Sequence, residues 1–169
     1  MRSIMLMSVA VLALAGCRAE QPGREANAAA ASEARASLSQ AEAEKIVAGA
    51  EAAWAGGRIE QVMANYADEA VVFDTGSLAP TTDRNVQTRA NASFLTMKPA
   101  DFRVDSRHVQ PLDADTIVAS GVLAFIAQAG ASRQLMRTRY TQVYQRQADG
   151  RWLIVHEHMS APPPGSALP

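Results

Sequence analysis

From Asp101 onward this chain reads as strand after strand, whereas the segments before it read mainly as helices. That order constrains the fold more than any count of residue types. Phe102 to Gln110 is one predicted strand, Thr116 to Gln128 a long second, Gln134 to Gln147 a third and Arg151 to Ser160 the last. Asp113-Ala114-Asp115 and Gln128-Ala129-Gly130 supply the turns, since Asp and Gly accept the backbone angles that reverse a chain. Asp149-Gly150 offers the positive-φ positions of a tight hairpin between the last two strands.

Upstream, Ser39 is a plausible N-cap, with Glu42 three residues on completing a capping box. The helix predicted from Gln40 to Ala55 places Ile46, Ala50, Ala53 and Trp54 at helical spacing, and Gly56-Gly57 ends it. A shorter helix from Ile59 to Tyr66 carries Ile59, Val62, Met63 and Tyr66 inward. Ala70 to Phe73 reads as a strand closed by Asp74-Thr75-Gly76. Thr81 to Asp83 opens a third helix over Arg84 to Thr96, stopped by Lys98-Pro99. Helices followed by antiparallel strands indicate an α+β domain, with the helices on one face of a curved sheet.

Strand periodicity assigns faces. In Arg151 to Ser160, Trp152, Ile154, His156 and His158 fall on one side, and Leu153, Val155, Glu157 and Met159 on the other. Imidazoles interleaved with large apolar groups suit a cavity wall. In the preceding strand, Thr138, Thr141, Gln142, Gln145 and Arg146 are expected to give a polar outer face, suited to pairing with a second copy or to water.

The N-terminus points to the compartment. Arg2 precedes an apolar run from Ile4 to Leu14, too short for the roughly 20 residues that span a bilayer and suited to a signal peptide. The run closes on Leu14-Ala15-Gly16-Cys17, which resembles the bacterial lipobox, in which the Cys takes a diacylglycerol thioether before cleavage. Cys17 is the single cysteine of the chain, so no intrachain disulfide forms, and lipidation accounts for an unpaired Cys in an exported protein. The alternatives are an ordinary secretory signal or an uncleaved anchor. Acyl chains at about 0.8 kcal/mol per buried methylene would hold the mature chain on a bilayer. Arg18 stands where inner-membrane lipoproteins of enterobacteria carry aspartate, which favours the periplasmic face of the outer membrane.

Segments 1–17, 18–37, 38–161 and 162–169 then read as signal peptide, tether, folded domain and loose tail. The segment from Ala19 to Ser37 has no large apolar residue and cannot offset its ordering entropy by burial. Residues 38–161 suffice for one domain with a core. A formal net charge of −1 and no basic block argue against a nucleic-acid partner.

Two segments resemble the nuclear transport factor 2-like superfamily, often called SnoaL-like. Thr141 to Tyr144, then Asp149-Gly150-Arg151-Trp152 and Val155 to Pro162, are similar to the last hairpin of the calcium/calmodulin-dependent protein kinase II association domain. Trp54-Ala55-Gly56-Gly57, followed by Tyr66 to Asp74, resembles the opening of SnoaL-like proteins and ketosteroid isomerases. The resemblance implies a cone-shaped α+β barrel, with three helices against a mostly antiparallel sheet and a deep pocket at the open end. It also implies a homodimer formed through the sheet. Function does not follow, because the fold hosts cyclases, isomerases, dehydratases, hydrolases and assembly domains.

The candidate chemistry rests on few residues. Asp74 falls where the resemblance places the isomerases' general base, although a loop cap through Thr75-Gly76 is the favoured reading and ligand contact a third. The first-helix tyrosine of those isomerases falls near Ala50, which donates no hydrogen bond. His156 and His158 are candidate partners of Asp74 or hydrogen-bonded members of the sheet. With His108 alone remaining, they make no metal site, which needs three or four ligands. Trp54, Tyr66, Phe73 and Tyr140 are candidates for lining an apolar cavity. Arg137 and Arg139 are candidates for holding an acidic ligand, and Gln142 stands where the kinase-type domains carry a pocket arginine. No dinucleotide fingerprint or phosphate loop is present, and no cofactor is implied.

Two functions follow as expectations. One is a lipid-anchored domain that binds a small, largely apolar ligand, dimerises, or both. The other is a cofactor-free lyase, isomerase or hydrolase using Asp74 with His156 or His158.

Overall fold

A computed structural model describes residues 37–97, 99–129 and 132–163. The signal segment with Cys17, the tether to residue 36, and the tail beyond Pro163 lie outside the described residues. The domain runs α1 (Gln40–Ala55), α2 (Ile59–Met63), β1 (Tyr66–Phe73), α3 (Arg84–Thr96), β2 (Ala100–Pro111), β3 (Thr116–Ala129), β4 (Ser132–Arg146) and β5 (Trp152–Ser160).

The helix ends form where side chains satisfy orphan amides. Ser39 and Glu42 make the reciprocal capping box of α1. Gly57 beyond its far end takes φ +66°, which costs glycine little. Asp83 caps α3 by accepting from the amides of Asn85 and Val86. The buried stripe of α1 is Ala43, Val47, Ala50, Glu51 and Trp54, with Ile46 and Ala53 at its border. It therefore includes an acid. The second helix is shorter than its pattern predicts: it stops at Met63, and Tyr66 opens β1 instead of closing the helix. Tyr66 points inward in either setting, so periodicity alone does not separate them.

The sheet has the order β1-β5-β4-β3-β2, antiparallel throughout except that β1 runs parallel to β5. It is curved and open, with β1 and β2 as its edges. The core lies between its inner face and the helices, built from Val47, Trp54, Val62, Tyr66, Val72, Ile117, Tyr144 and Ile154 among others.

Two strand faces differ from simple alternation. Between the pairs Val143↔His156 and Tyr144↔Ile154, β5 carries one extra residue, Val155. This bulge shifts the phase of the strand. Ile154 is buried before it and Glu157 after it, while His156 and His158 face out. The two histidines thus leave the side that Ile154 occupies. In β4 the buried positions include Tyr140, Gln142 and Tyr144, and Thr141 and Gln145 are exposed. Gln142 and Thr138 accordingly belong to the inner face, not to the expected polar outer one.

Candidate functional site

A cavity of about 290 Å³ opens where the helices diverge from the sheet. Two helices, four strands and the loop after β1 contribute to its wall. Trp54 comes from the end of α1, and Ala90, Asn91, Ser93 and Phe94 from α3, with Met97 just beyond it. Phe102, Leu123, Phe125, Thr138 and Met159 come from β2, β3, β4 and β5, and the loop after β1 brings Asp74, Thr75 and Gly76 to the rim. Phe94 is the hinge of the aromatic wall. It meets Trp54 edge-on at 5.3 Å and Phe125 at 4.8 Å, the arrangement that aromatic quadrupoles favour.

The loop that presents Asp74 is closed by backbone and side-chain bonds. Val72 and Thr81 pair in an isolated bridge across it, with both N–H···O contacts at 2.9 Å. Gln87, buried on α3, donates to the carbonyls of Ala70 and Thr81. Arg84 donates to the carbonyls of Met63, Tyr66 and Ala67, tying the start of α3 to the α2–β1 junction. Asp74 itself is half-buried, and its Oδ1 accepts from the Thr75 amide at 2.7 Å. One carboxylate oxygen therefore shapes the loop while the side chain lines the cavity.

Behind the cavity lies a buried polar cluster. A hollow of only about 10 Å³ is walled by Trp54 and Leu123, which the cavity shares, and by Ala50, Tyr66, Tyr140 and Tyr144. Glu51 accepts from Tyr140 Oη at 2.8 Å and from the Arg107 guanidinium at 2.6 Å. Glu157 accepts from Tyr66 Oη at 2.8 Å and from Gln142 Nε2 at 2.5 Å, and Tyr144 Oη donates to Gln142 Oε1 at 2.6 Å. Each polar side chain of this cluster thus has its partner, as a low-dielectric interior demands.

Burial pushes the Glu157 carboxyl above the usual glutamate range; the Gln142 and Tyr66 hydrogen bonds oppose this, and nearby Asp74 adds to it. Burial likewise raises the phenols of Tyr66, Tyr140 and Tyr144, assisted by the charge of Glu157 or Glu51. Tyr66, Tyr140 and Gln142 belong to this cluster rather than to the cavity wall.

The remaining sequence candidates lie elsewhere. His156 and His158 are exposed, and His158 tilts against Phe73 with ring centres 5.1 Å apart. Neither the histidines nor Phe73 reach the cavity. Arg137 donates to Asp105 at 3.0 Å, and Arg103 holds the other oxygen of the same acid at 2.8 Å. Burial works against the Asp105 charge, but those two bonds prevail and hold its carboxyl below the usual range. Arg139 donates to the Ala161 carbonyl. Among the described residues no cluster of three or more metal-ligating side chains occurs. Of the predicted site residues, Trp54 and Asp74 line the cavity.

The residues that sequence reasoning passed over are Glu51, Glu157, Phe94, Phe125 and Met159. Glu51 was accessible to it, since it lies on the stripe of Val47 and Trp54. Glu157 and Met159 were not, because the bulge that turns them inward depends on pairing with β4.

Comparison with known proteins agrees with this architecture. No curated protein sequence matches the chain. Among solved structures, one described as a calcium/calmodulin dependent protein kinase II association domain from Xanthomonas campestris is 31% identical. The match covers 75% of this chain and 90% of that one, with a TM-score of 0.65. A nuclear transport factor 2-like protein from Pseudomonas putida shares the fold at 24% identity, covering 78% and 96% of the two chains, with a TM-score of 0.59. One described as a ketosteroid isomerase from Parabacteroides distasonis shares it at 19% identity, covering 76% and 94%, with a TM-score of 0.60. The SnoaL-like domain family matches residues 44–164, which span both the cavity and the polar cluster behind it. This chain therefore belongs to the SnoaL-like domain family.

Proposed function

We propose that this protein is a lipid-anchored, exported SnoaL-like domain whose cavity binds a small, largely apolar molecule. The observation that carries the binding reading is the aromatic cavity itself, walled by Trp54, Phe94, Phe102 and Phe125 around about 290 Å³. A concave, mostly apolar site with a few polar groups is the usual form of a small-molecule site. A thermal-shift screen with steroids, terpenes and polyketide-like compounds tests it. We expect several to raise the melting temperature, and Ala90→Phe, which projects a ring into the cavity from α3, to abolish the effect. Absence of any shift, or shifts that persist in Ala90→Phe, would sink the reading.

Anchoring is supported by the Leu14-Ala15-Gly16-Cys17 motif after a short apolar run. Metabolic labelling with a fatty-acid analogue should mark the protein in a bacterial host, and Cys17→Ser should lose the label. Localisation to the periplasmic face of the outer membrane is part of the same proposal, and fractionation tests it. A homodimer is supported by the likeness to domains described as kinase association and hub domains. Sedimentation should return twice the protomer mass.

The cofactor-free lyase, isomerase or hydrolase is favoured by one observation, that Asp74 lines the cavity. It keeps a base, but His156 and His158 do not share that space. Turnover abolished by Asp74→Asn would promote this second reading over pure binding.

A further inference from the structure

We infer that the cavity selects organic cations: an ammonium group carried on an apolar body, with the positive end against Asp74. This rests on the cavity being a ligand site, and it adds the charge of the ligand. Asp74 is the one ionisable side chain among the described residues that line the cavity. Among the described residues it makes no ion pair, so its second carboxylate oxygen is not committed to an arginine or lysine.

The cations that would attract an acid are engaged elsewhere. Arg137 and Arg103 share Asp105, Arg84 holds backbone carbonyls, and Arg107 is spent on Glu51. The Glu157 carboxyl behind the cavity feels the charge of Asp74. An incoming carboxylate would therefore meet the Asp74 carboxylate and, among the described lining residues, no counter-ion, whereas an ammonium would meet a charge-assisted hydrogen-bond acceptor. The aromatic wall favours the same ligand, because Trp and Phe faces attract cations and their area suits an apolar body. Like charge on the site rejects the wrong ligand as firmly as opposite charge attracts the right one.

The test uses three probes with one apolar body: 2-(1-naphthyl)ethylamine, the corresponding alcohol, and the 3-(1-naphthyl)propanoate anion. Titrations at neutral pH are followed by calorimetry on the intact domain. We expect the amine to bind about tenfold or more tighter than the alcohol, and the acid to bind weakest. The amine-to-alcohol ratio should shrink as salt is raised, and fall toward one in Asp74→Asn. Equal binding of amine and alcohol, or acid binding as tightly as amine, overturns the cation preference. Either result leaves the cavity standing as a ligand site. Failure of all three probes to bind folded protein overturns both the preference and the binding reading beneath it.

Discussion

Glu157 sits at 2% exposure with two donors on one oxygen, Tyr66 Oη and Gln142 Nε2. Such a carboxyl holds its proton more tightly in the folded chain than in the unfolded one, where it titrates near about 4.3. The sign follows from linkage. The folded state binds more protons between the unfolded and folded pKa values, so this group's contribution is complete below about 4.3 and is lost as pH rises through the raised value. Glu157→Gln presents an amide oxygen to the same donors and does not ionise. Urea unfolding from pH 4 to 8 should therefore show stability falling more steeply with pH in the parent than in the variant; parallel curves would refute it. The exposed histidines make the contrasting case. His156→Ala and His158→Ala should each change stability by no more than about 0.5 kcal/mol and leave cavity binding intact. Loss of ligand affinity in either would return the imidazoles to the site. Two histidines at alternate positions were plain in the chain, but their side of the strand was not.

The side was decided in β5 by one extra residue. Period-two reasoning holds on each flank of Val155, but the bulge between the flanks shifts it by one position. No propensity of Val155 announces this; the shift is a property of the pair β4–β5. Strand β3 carries a comparable constraint at Gly121, paired with Tyr140 on one side and Arg107 on the other. A Cβ there would run into the Ser106 carbonyl and the Tyr140 ring, the ring that bonds Glu51. Gly121→Ala is expected to lower stability by about 1–3 kcal/mol, read from the urea midpoint, because the backbone of β2 cannot yield. A neutral result would mean that the sheet opens there freely. The elements themselves were legible: the capping box at Ser39, the third helix from Arg84 to Thr96, and four strands after residue 100 follow local chemistry and spacing. Tyr66 is the exception, because one inward residue satisfies a helix end and a strand start equally.

At the scale of the whole molecule, the three tyrosines of the chain, Tyr66, Tyr140 and Tyr144, converge from β1 and β4 on one buried cluster. Burial raises all three phenols above their usual value near 10. A raised acid is stabilising below its unfolded pKa and costs stability as pH climbs beyond it. Tyrosinate absorbance should therefore stay silent above pH 10 until the chain unfolds, and then appear in step with the loss of far-ultraviolet circular dichroism. A tyrosine that titrates while the fold persists would show the cluster to be open to solvent. The order of elements, their caps and the α+β class were determined by the sequence alone, because capping, periodicity and turn chemistry act over a few residues. Which acids are buried, which way the histidines face, and that Asp74 but not Gln142 looks into the cavity were decided by tertiary structure. Those outcomes depend on register and bulges between strands far apart in the chain, where one residue of offset exchanges the inside of the sheet for the outside.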